Sequence, residues 1–307
     1  MPGKHAFRGW HGACLVFSMD SEHVISKLPH ASRTAFVLGG GGSLGATQVG
    51  MLRELLVQGI RPDIVVGVSA GAINGAFFAQ QPTLNRLNML AGLWAGVSTR
   101  EALGLSWRSL LGVLGMRDHV ANPAGLRRIL QRNLSYQSFA ETVIPFHVLC
   151  AEMQTGRAVI LSEGAVIDAI LASAAIPGVF PAVTISGRLL VDGAVASRTP
   201  IEAAISLGAT QLFVLPCGTA TDHEVTKGGA LARAMHAINL LGARQLRCDV
   251  ERFSGQAAIH VVPPPAINCA PYDYSHGREL IERAGASTRC WLDSDSSSDR
   301  QFATNRV

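Results

Sequence analysis

Ile64-Val65-Val66-Gly67-Val68-Ser69-Ala70-Gly71-Ala72-Ile73-Asn74 is the stretch on which the fold turns. Its first five residues are β-branched apart from Gly67, which predicts a short strand over Ile64 to Val68. From Ala70 to Ala79 the chain stays small and apolar, which predicts a helix. Between them lies Gly67-Val68-Ser69-Ala70-Gly71, a G-x-S-x-G motif in the strand, sharp turn and helix setting that a nucleophile elbow requires. Gly67 and Gly71 leave room for a strained turn that pushes the Ser69 hydroxyl outward, and the helix N-terminus lowers the cost of negative charge near its oxygen. Ser69 is therefore the candidate nucleophile.

Working outward, Thr34 to Leu38 forms a second strand-like run. It is followed by Gly39-Gly40-Gly41-Gly42-Ser43-Leu44-Gly45 and a helix over Leu44 to Gln58. A glycine-rich turn that opens a helix presents unblocked backbone N–H groups, so it is an anion site. Gly40-x-Gly42-x-x-Gly45 also matches the dinucleotide fingerprint, but there an acidic residue ends the second strand. Here Asp63 begins that strand and Gly67 lies near its end, which argues against a nucleotide. No Gly-Lys-Ser/Thr sequence supports a triphosphate loop either. If the two strands are adjacent and parallel, both loops emerge at one sheet edge. The backbone of Gly40, Gly41 and Gly42 then becomes a candidate oxyanion hole for a carbonyl attacked by Ser69.

Further strand candidates are Phe146 to Ala151, Ala158 to Leu161, Leu189 to Val191, Gln211 to Leu215 and Ala258 to Val262. Helix candidates are Pro123 to Gln131 with Asn122 as N-cap, Gly164 to Ser173, Pro200 to Leu207, Ala230 to Arg252 and His276 to Ala284. This alternation predicts an α/β fold with a mostly parallel central sheet. The 307 residues are 48% hydrophobic and 16% charged, enough apolar material for one large core. A net charge of +4 with no basic block gives no support to nucleic-acid binding. Six cysteines without a C-x-x-C pair read as reduced thiols, and no His, Asp and Glu set has metal-ligand spacing. Neither a metal nor a cofactor is expected.

A serine hydroxyl needs a neighbour to take its proton. His260, on a strand candidate, and His276, at a helix start, would suit a Ser-His-Asp arrangement. The competitor is Asp192 in Leu189-Leu190-Val191-Asp192-Gly193-Ala194, where a carboxylate closes a hydrophobic strand at the same edge of the sheet. From the residues alone both remain open.

Taken together, Gly40-Gly-Gly-Ser-Leu-Gly45, Gly67-Val-Ser-Ala-Gly71 and Asp192-Gly193-Ala194 resemble the patatin-like phospholipase family. Ala172-Ser-Ala-Ala-Ile-Pro-Gly-Val-Phe-Pro-Ala182 between them and Asp273-Tyr-Ser-His-Gly-Arg-Glu-Leu280 extend the likeness over Thr34 to Leu292. The resemblance implies a three-layer α/β/α patatin-like fold and a Ser-Asp dyad, with Ser69 as nucleophile and Asp192 as base. It also implies an oxyanion hole at Gly40, Gly41 and Gly42, with Gly45, Gly67, Gly71, Gly193 and Ala194 supporting the motifs. The alternative readings are a Ser-His-Asp hydrolase using His260 or His276, and a catalytically silent lipid-binding module. One departure from the family pattern is Leu44, where many members carry arginine or lysine.

The expected organisation is a flexible segment over 1–33, one acyl hydrolase domain over 34–293 and a disordered tail over 294–307. The run Ala13 to Phe17 is too short for a signal peptide, and Asp168, Pro177 and Pro181 interrupt the apolar stretch Gly164 to Ile185. A cytoplasmic protein acting on lipid esters is expected, with peripheral membrane contact through residues 84–120. Within that stretch, Ser106 to Gly115 would form an apolar lip over Ser69.

Overall fold

The structure, a computed structural model, describes residues 32–99, 101, 121–218, 230–266 and 269–295. The expected lip over Ser106 to Gly115 lies outside the described residues. So do the expected terminal segments, apart from Ser32, Arg33, Ser294 and Asp295.

The strands are β1 (Thr34–Leu38), β2 (Ile64–Val68), β3 (Phe146–Glu152), β4 (Ala158–Leu161), β5 (Val183–Ile185), β6 (Arg188–Asp192), β7 (Gln211–Leu215) and β8 (Ala258–Val261). They form one sheet in the order β5-β6-β3-β2-β1-β7-β8, with β4 also on β3. The run from β3 through β8 is parallel, whereas β4, β5 and β6 pair antiparallel. The helices are α1 (Ala46–Val57), α2 (Ala70–Gln80), α3 (Leu84–Gly96), α4 (Ala124–Asn133), α5 (Val166–Ser173), α6 (Ile201–Ser206), α7 (Ala230–Phe253) and α8 (Gly277–Asp295).

Successive residues of a strand face opposite sides, and β1 shows what covers each. Phe36 and Leu38 belong to a core that also contains Leu52 of α1, Phe77 of α2, Leu90 of α3 and Ile281 of α8. Ala35 and Val37 belong to a second core with Ile201 of α6 and Phe253 of α7. Helices thus cover both faces of a mostly parallel sheet. Both faces of β1 and β2 are buried, and this is why those strands are continuously apolar instead of alternating.

Strand β5 and the end of helix α8 depart most from the sequence expectations, while the other expected limits shift by at most two residues. The turn Ser186-Gly187, with φ of 49° and 76°, folds β5 back on β6 in a two-residue hairpin. Positive φ at both turn positions matches the right-handed twist of the paired strands. Strand β5 has only three residues and so carries little periodic signal. Helix α8 runs to Asp295 instead of stopping at Ala284, because Ala284 and Thr288 are buried and Arg289 reaches Glu54 of α1 with a bidentate pair at 2.9 and 3.1 Å. At the start of α4, Pro123 already has helical dihedrals, φ −67° and ψ −10°, and Asn122 makes the hydrogen bond expected of its cap. Its Oδ1 accepts from the Ala124 amide at 2.9 Å.

Candidate active site

The register of β3 brings Ser69 and Asp192 together. Val148 and Leu149 pair with both β2 and β4, while Cys150 and Ala151 pair with both β4 and β6. A strand has two edges, so β4 occupies one of them and β2 and β6 share the other, end to end. Val68 is opposite Leu149, and Asp192 is opposite the next residue, Cys150. At that step β2 leaves the sheet through Ser69, and the last residue of β6 fills the vacated place.

Ser69 makes this exit in a conformation that costs energy, with φ 53° and ψ −120° at the N-cap of α2. Non-glycine residues in such regions persist only where their surroundings impose them. The constraint is visible. Gly71 packs so tightly under β1 that a Cβ there would lie 2.1 Å from the Leu38 carbonyl oxygen. The Ser69 amide donates to Ser173 Oγ at 2.9 Å, and Ser173 Oγ donates to the Leu149 carbonyl at 2.6 Å. Ser173 thereby ties the elbow to β3.

Ser69 Oγ donates to Asp192 Oδ2 at 2.7 Å, and the Ala194 amide donates to Asp192 Oδ1 at 2.8 Å. The Asp192 amide donates to the Ala175 carbonyl at 2.9 Å. Asp192 is buried, and burial pushes its carboxyl up to about 6 despite the hydrogen bonds from Ala194 and Ser69 and the nearby positive charge of Arg198. Gly193 permits the approach, since a Cβ there would sit 2.2 Å from the Leu149 carbonyl oxygen.

The glycine loop leaves the end of β1, next to β2, so the expected parallel adjacency holds. Gly40 borders the serine, and a Cβ on it would be 3.3 Å from Ser69 Cβ. Its amide, however, donates to the Arg198 carbonyl at 2.9 Å and is thereby committed. Among Gly40, Gly41 and Gly42, only the last two amides find no acceptor among the described residues. The expectation that Gly40 donates to an oxyanion is corrected accordingly, because its N–H points into the protein.

Beneath the loop runs a polar network with no counterpart in the sequence reading. Trp94 Nε1 donates to Asn74 Oδ1 at 2.8 Å, and Asn74 Nδ2 donates to the Gly45 carbonyl and to Gln48 Oε1, each at 2.8 Å. Gln48 Nε2 in turn donates to the Gly39 and Leu215 carbonyls at 2.8 Å. Asn74 and Gln48 are fully buried. The signal available was a polar side chain inside an otherwise apolar helical run, as with Asn74 in α2. Leu44 is likewise buried, and the cation that meets the loop is Arg198, from the segment after Asp192-Gly193-Ala194.

Among the described residues, neither candidate histidine is hydrogen-bonded to Ser69, whose hydroxyl goes to Asp192 and whose amide goes to Ser173. His260 stacks on Phe213 with ring centroids 5.0 Å apart. Through Phe213 and Phe36 it is level with Val65, four residues before Ser69 along β2. At roughly 3.3 Å per strand residue that is about 13 Å from the elbow, with two further strands between. His276 is half-exposed and lies within reach of Asp273 and Glu279. Among the described residues no group of three or more His, Cys, Asp or Glu is placed to hold a metal ion, and no helix is long and apolar enough to cross a membrane.

Helices on both faces of a mostly parallel sheet, with a strained serine at a strand-to-helix turn bonded to a buried carboxylate, define an α/β protein with a nucleophile elbow. The chain belongs to the patatin-like phospholipase family, whose model matches residues 36–205. It is 25% identical over 207 residues to patatin-like phospholipase domain-containing protein 7 of Rattus norvegicus, a match covering 67% of this chain and 15% of the relative. It is 27% identical over 201 residues to lysophospholipase nte1 of Aspergillus terreus, covering 66% of this chain and 13% of that protein. The chain thus spans about 15% of the length of the first of these curated relatives. Among solved structures, that of VipD from Legionella pneumophila aligns with a TM-score of 0.41 at 14% identity, covering 86% of this chain and 67% of the other.

Proposed function

We propose that the chain is a serine acyl hydrolase that cleaves carboxylic ester bonds of lipids, contributing to lipid breakdown. The observation that carries this reading is the 2.7 Å hydrogen bond from Ser69 Oγ to Asp192 Oδ2 at an elbow whose backbone is strained. Ser69 Oγ attacks the ester carbonyl and passes its proton to Asp192. The carbonyl oxygen becomes an oxyanion that accepts from the Gly41 and Gly42 amides, at the start of the turn leading into α1. Collapse of the tetrahedral intermediate breaks the ester C–O bond. Protonated Asp192 then returns its proton to the departing alkoxide, which leaves as the alcohol. Water, deprotonated by Asp192, cleaves the acyl-enzyme and restores Ser69.

An ordinary aspartate, with a pKa near 4, is a poor match for a serine hydroxyl. Burial improves the match by raising the carboxyl to about 6, near enough to neutrality to accept and return a proton. The substrate class draws support from the family and from a relative named as a lysophospholipase, and we assign phospholipid or lysophospholipid esters to the site.

The test is hydrolysis of phospholipid and lysophospholipid vesicles and fluorophosphonate labelling by wild type, Ser69→Ala and Asp192→Asn. Wild type is expected to label at Ser69 and release fatty acid. Both variants should lose at least about 10³-fold in turnover. Retention of wild-type hydrolysis by Ser69→Ala would sink the proposal.

A further inference from the structure

Arg198 is buried, although it follows the hairpin by only a few residues and carries a full charge. Its place is built on two sides. Gly242 of α7 lets the helix approach so closely that a Cβ there would lie 2.4 Å from Arg198 Cδ. Gln245, three residues on, donates through Nε2 to the Ala196 carbonyl at 3.2 Å, and its Oε1 accepts from the Arg198 amide at 3.4 Å. On the other side Arg198 Nε donates to the Gly40 carbonyl at 2.9 Å, and Nη2 donates to the Gly218 carbonyl at 3.3 Å. The Gly40 amide closes a reciprocal pair by donating to the Arg198 carbonyl at 2.9 Å.

Both peptide groups flanking Gly40 are therefore held by one residue. The Gly40 carbonyl and the Gly41 amide belong to the same planar trans unit, so they point in opposite directions. Fixing the carbonyl on the guanidinium fixes the Gly41 N–H away from it, where the described residues offer no acceptor. Rotating that peptide would break a buried, charge-assisted hydrogen bond. A glycine loop has little intrinsic stiffness of its own, so the orientation of its donor has to be imposed from outside.

We propose that Arg198 is a positioning residue for ester cleavage: its guanidinium holds the Gly40 carbonyl and so presents the Gly41 amide to the oxyanion formed at Ser69. The proposal rests on the Ser69–Asp192 reading above. Arg198 has a second effect through its charge, which opposes the upward push of burial on Asp192.

The experiment compares the full chain with Arg198→Ala and Arg198→Lys on a soluble ester. Turnover is expressed per site titrated with fluorophosphonate, and melting is followed in parallel. In Arg198→Ala, kcat is expected to fall about 10²-fold or more, the loss typical of a misplaced oxyanion donor, while KM moves less than about threefold. The acid limb of the rate profile should shift to higher pH. Arg198→Lys should keep that limb near its wild-type position, because the charge remains. Its kcat should still be about 10-fold low or worse, because an ammonium lacks the planar fork. If Arg198→Ala does not fold, Arg198→Lys decides on the same readouts. Turnover per titrated site within about twofold of wild type in a folded variant overturns the positioning role while Ser69-dependent turnover persists. Full turnover in Ser69→Ala overturns the catalytic reading itself.

Discussion

Asp192 stands opposite Cys150 on the same edge of β3 where Val68 stands opposite Leu149, so the base candidate occupies the next place after the residue preceding Ser69. Two strands from different parts of the chain, β2 and β6, meet head-on at that point. A hydroxyl and a carboxylate separated by 123 residues are brought within 2.7 Å without an intervening imidazole. The site is thus a property of sheet register, and any change that shifts β6 along β3 moves the carboxylate away from the elbow.

Asp192→Asn is expected to trade activity for stability. The folded-state carboxyl lies at about 6, above the ordinary value of 3.8, so between those values the folded chain binds more protons than the unfolded one. Stability from this group is therefore present at low pH and is lost as pH rises through about 6. Asparagine is nearly isosteric, and its Oδ1 can still accept from Ala194 without ionising. At pH 7 the variant should gain about 1–3 kcal/mol, as two pKa units imply at most. Denaturant unfolding at pH 4 and pH 7 checks this. The gain should appear at pH 7 and shrink at pH 4, and a less stable variant at pH 7 would refute it.

The pH dependence of kcat/KM on a soluble ester should show one acid limb with a midpoint near 6, because the base must be ionised in the free enzyme. Asp192 dominates this limb, since no imidazole among the described residues is hydrogen-bonded to Ser69. A midpoint near 4 would mean that burial does not raise the carboxyl, contrary to the environment described.

Ser173→Ala removes the hydroxyl that bridges the Ser69 amide and the Leu149 carbonyl. Ser173 is fully buried, so water cannot readily replace it, and the loss should cost about 1–3 kcal/mol of stability. Because the freed amide is that of the strained residue, kcat should fall by about tenfold or more while KM changes little. Steady-state kinetics beside a melting curve separates the two effects. Wild-type kcat with a lowered Tm would reduce Ser173 to a packing role.

Much of this was legible in the sequence. Short apolar runs bounded by glycine or proline marked β1, β2, β4 and β7 at their observed limits, and G-x-S-x-G in its strand and helix setting marked the elbow. Asp192 was legible as the end of a hydrophobic strand. What escaped depends on contacts between distant residues. Ser173 looks like any small residue in an alanine-rich segment until β3 is placed beside it. Gln48 and Asn74 carry no motif, and their value comes from the carbonyls of Gly39 and Gly45 that face them. Gly40 belongs to the glycine motif yet has its amide taken by the carbonyl of Arg198, 158 residues away. A repeat of glycines specifies that backbone can come close, but which N–H stays open is decided by what packs behind it.

Gly193→Ala tests the end-to-end meeting of β2 and β6. A single methyl there would sit 2.2 Å from the Leu149 carbonyl oxygen and 2.8 Å from Val68 Cγ2, and the first of these is backbone in the middle of the sheet. Neither neighbour can swing aside, so the Asp192-Gly193 segment has to move outward. Overpacking of this kind costs about 1–3 kcal/mol. A displacement of about 1 Å stretches the 2.7 Å Ser69–Asp192 hydrogen bond beyond useful range. The expected outcome is a folded protein of lower Tm with kcat reduced by about 10²-fold, the loss that misplacing a reacting group by that distance brings. Gly178→Ala serves as the control, since a Cβ there meets nothing within 4 Å and φ is +77°, so backbone strain acts there without overpacking. Equal losses of kcat in the two variants would show that strain, and not displacement of Asp192, limits activity.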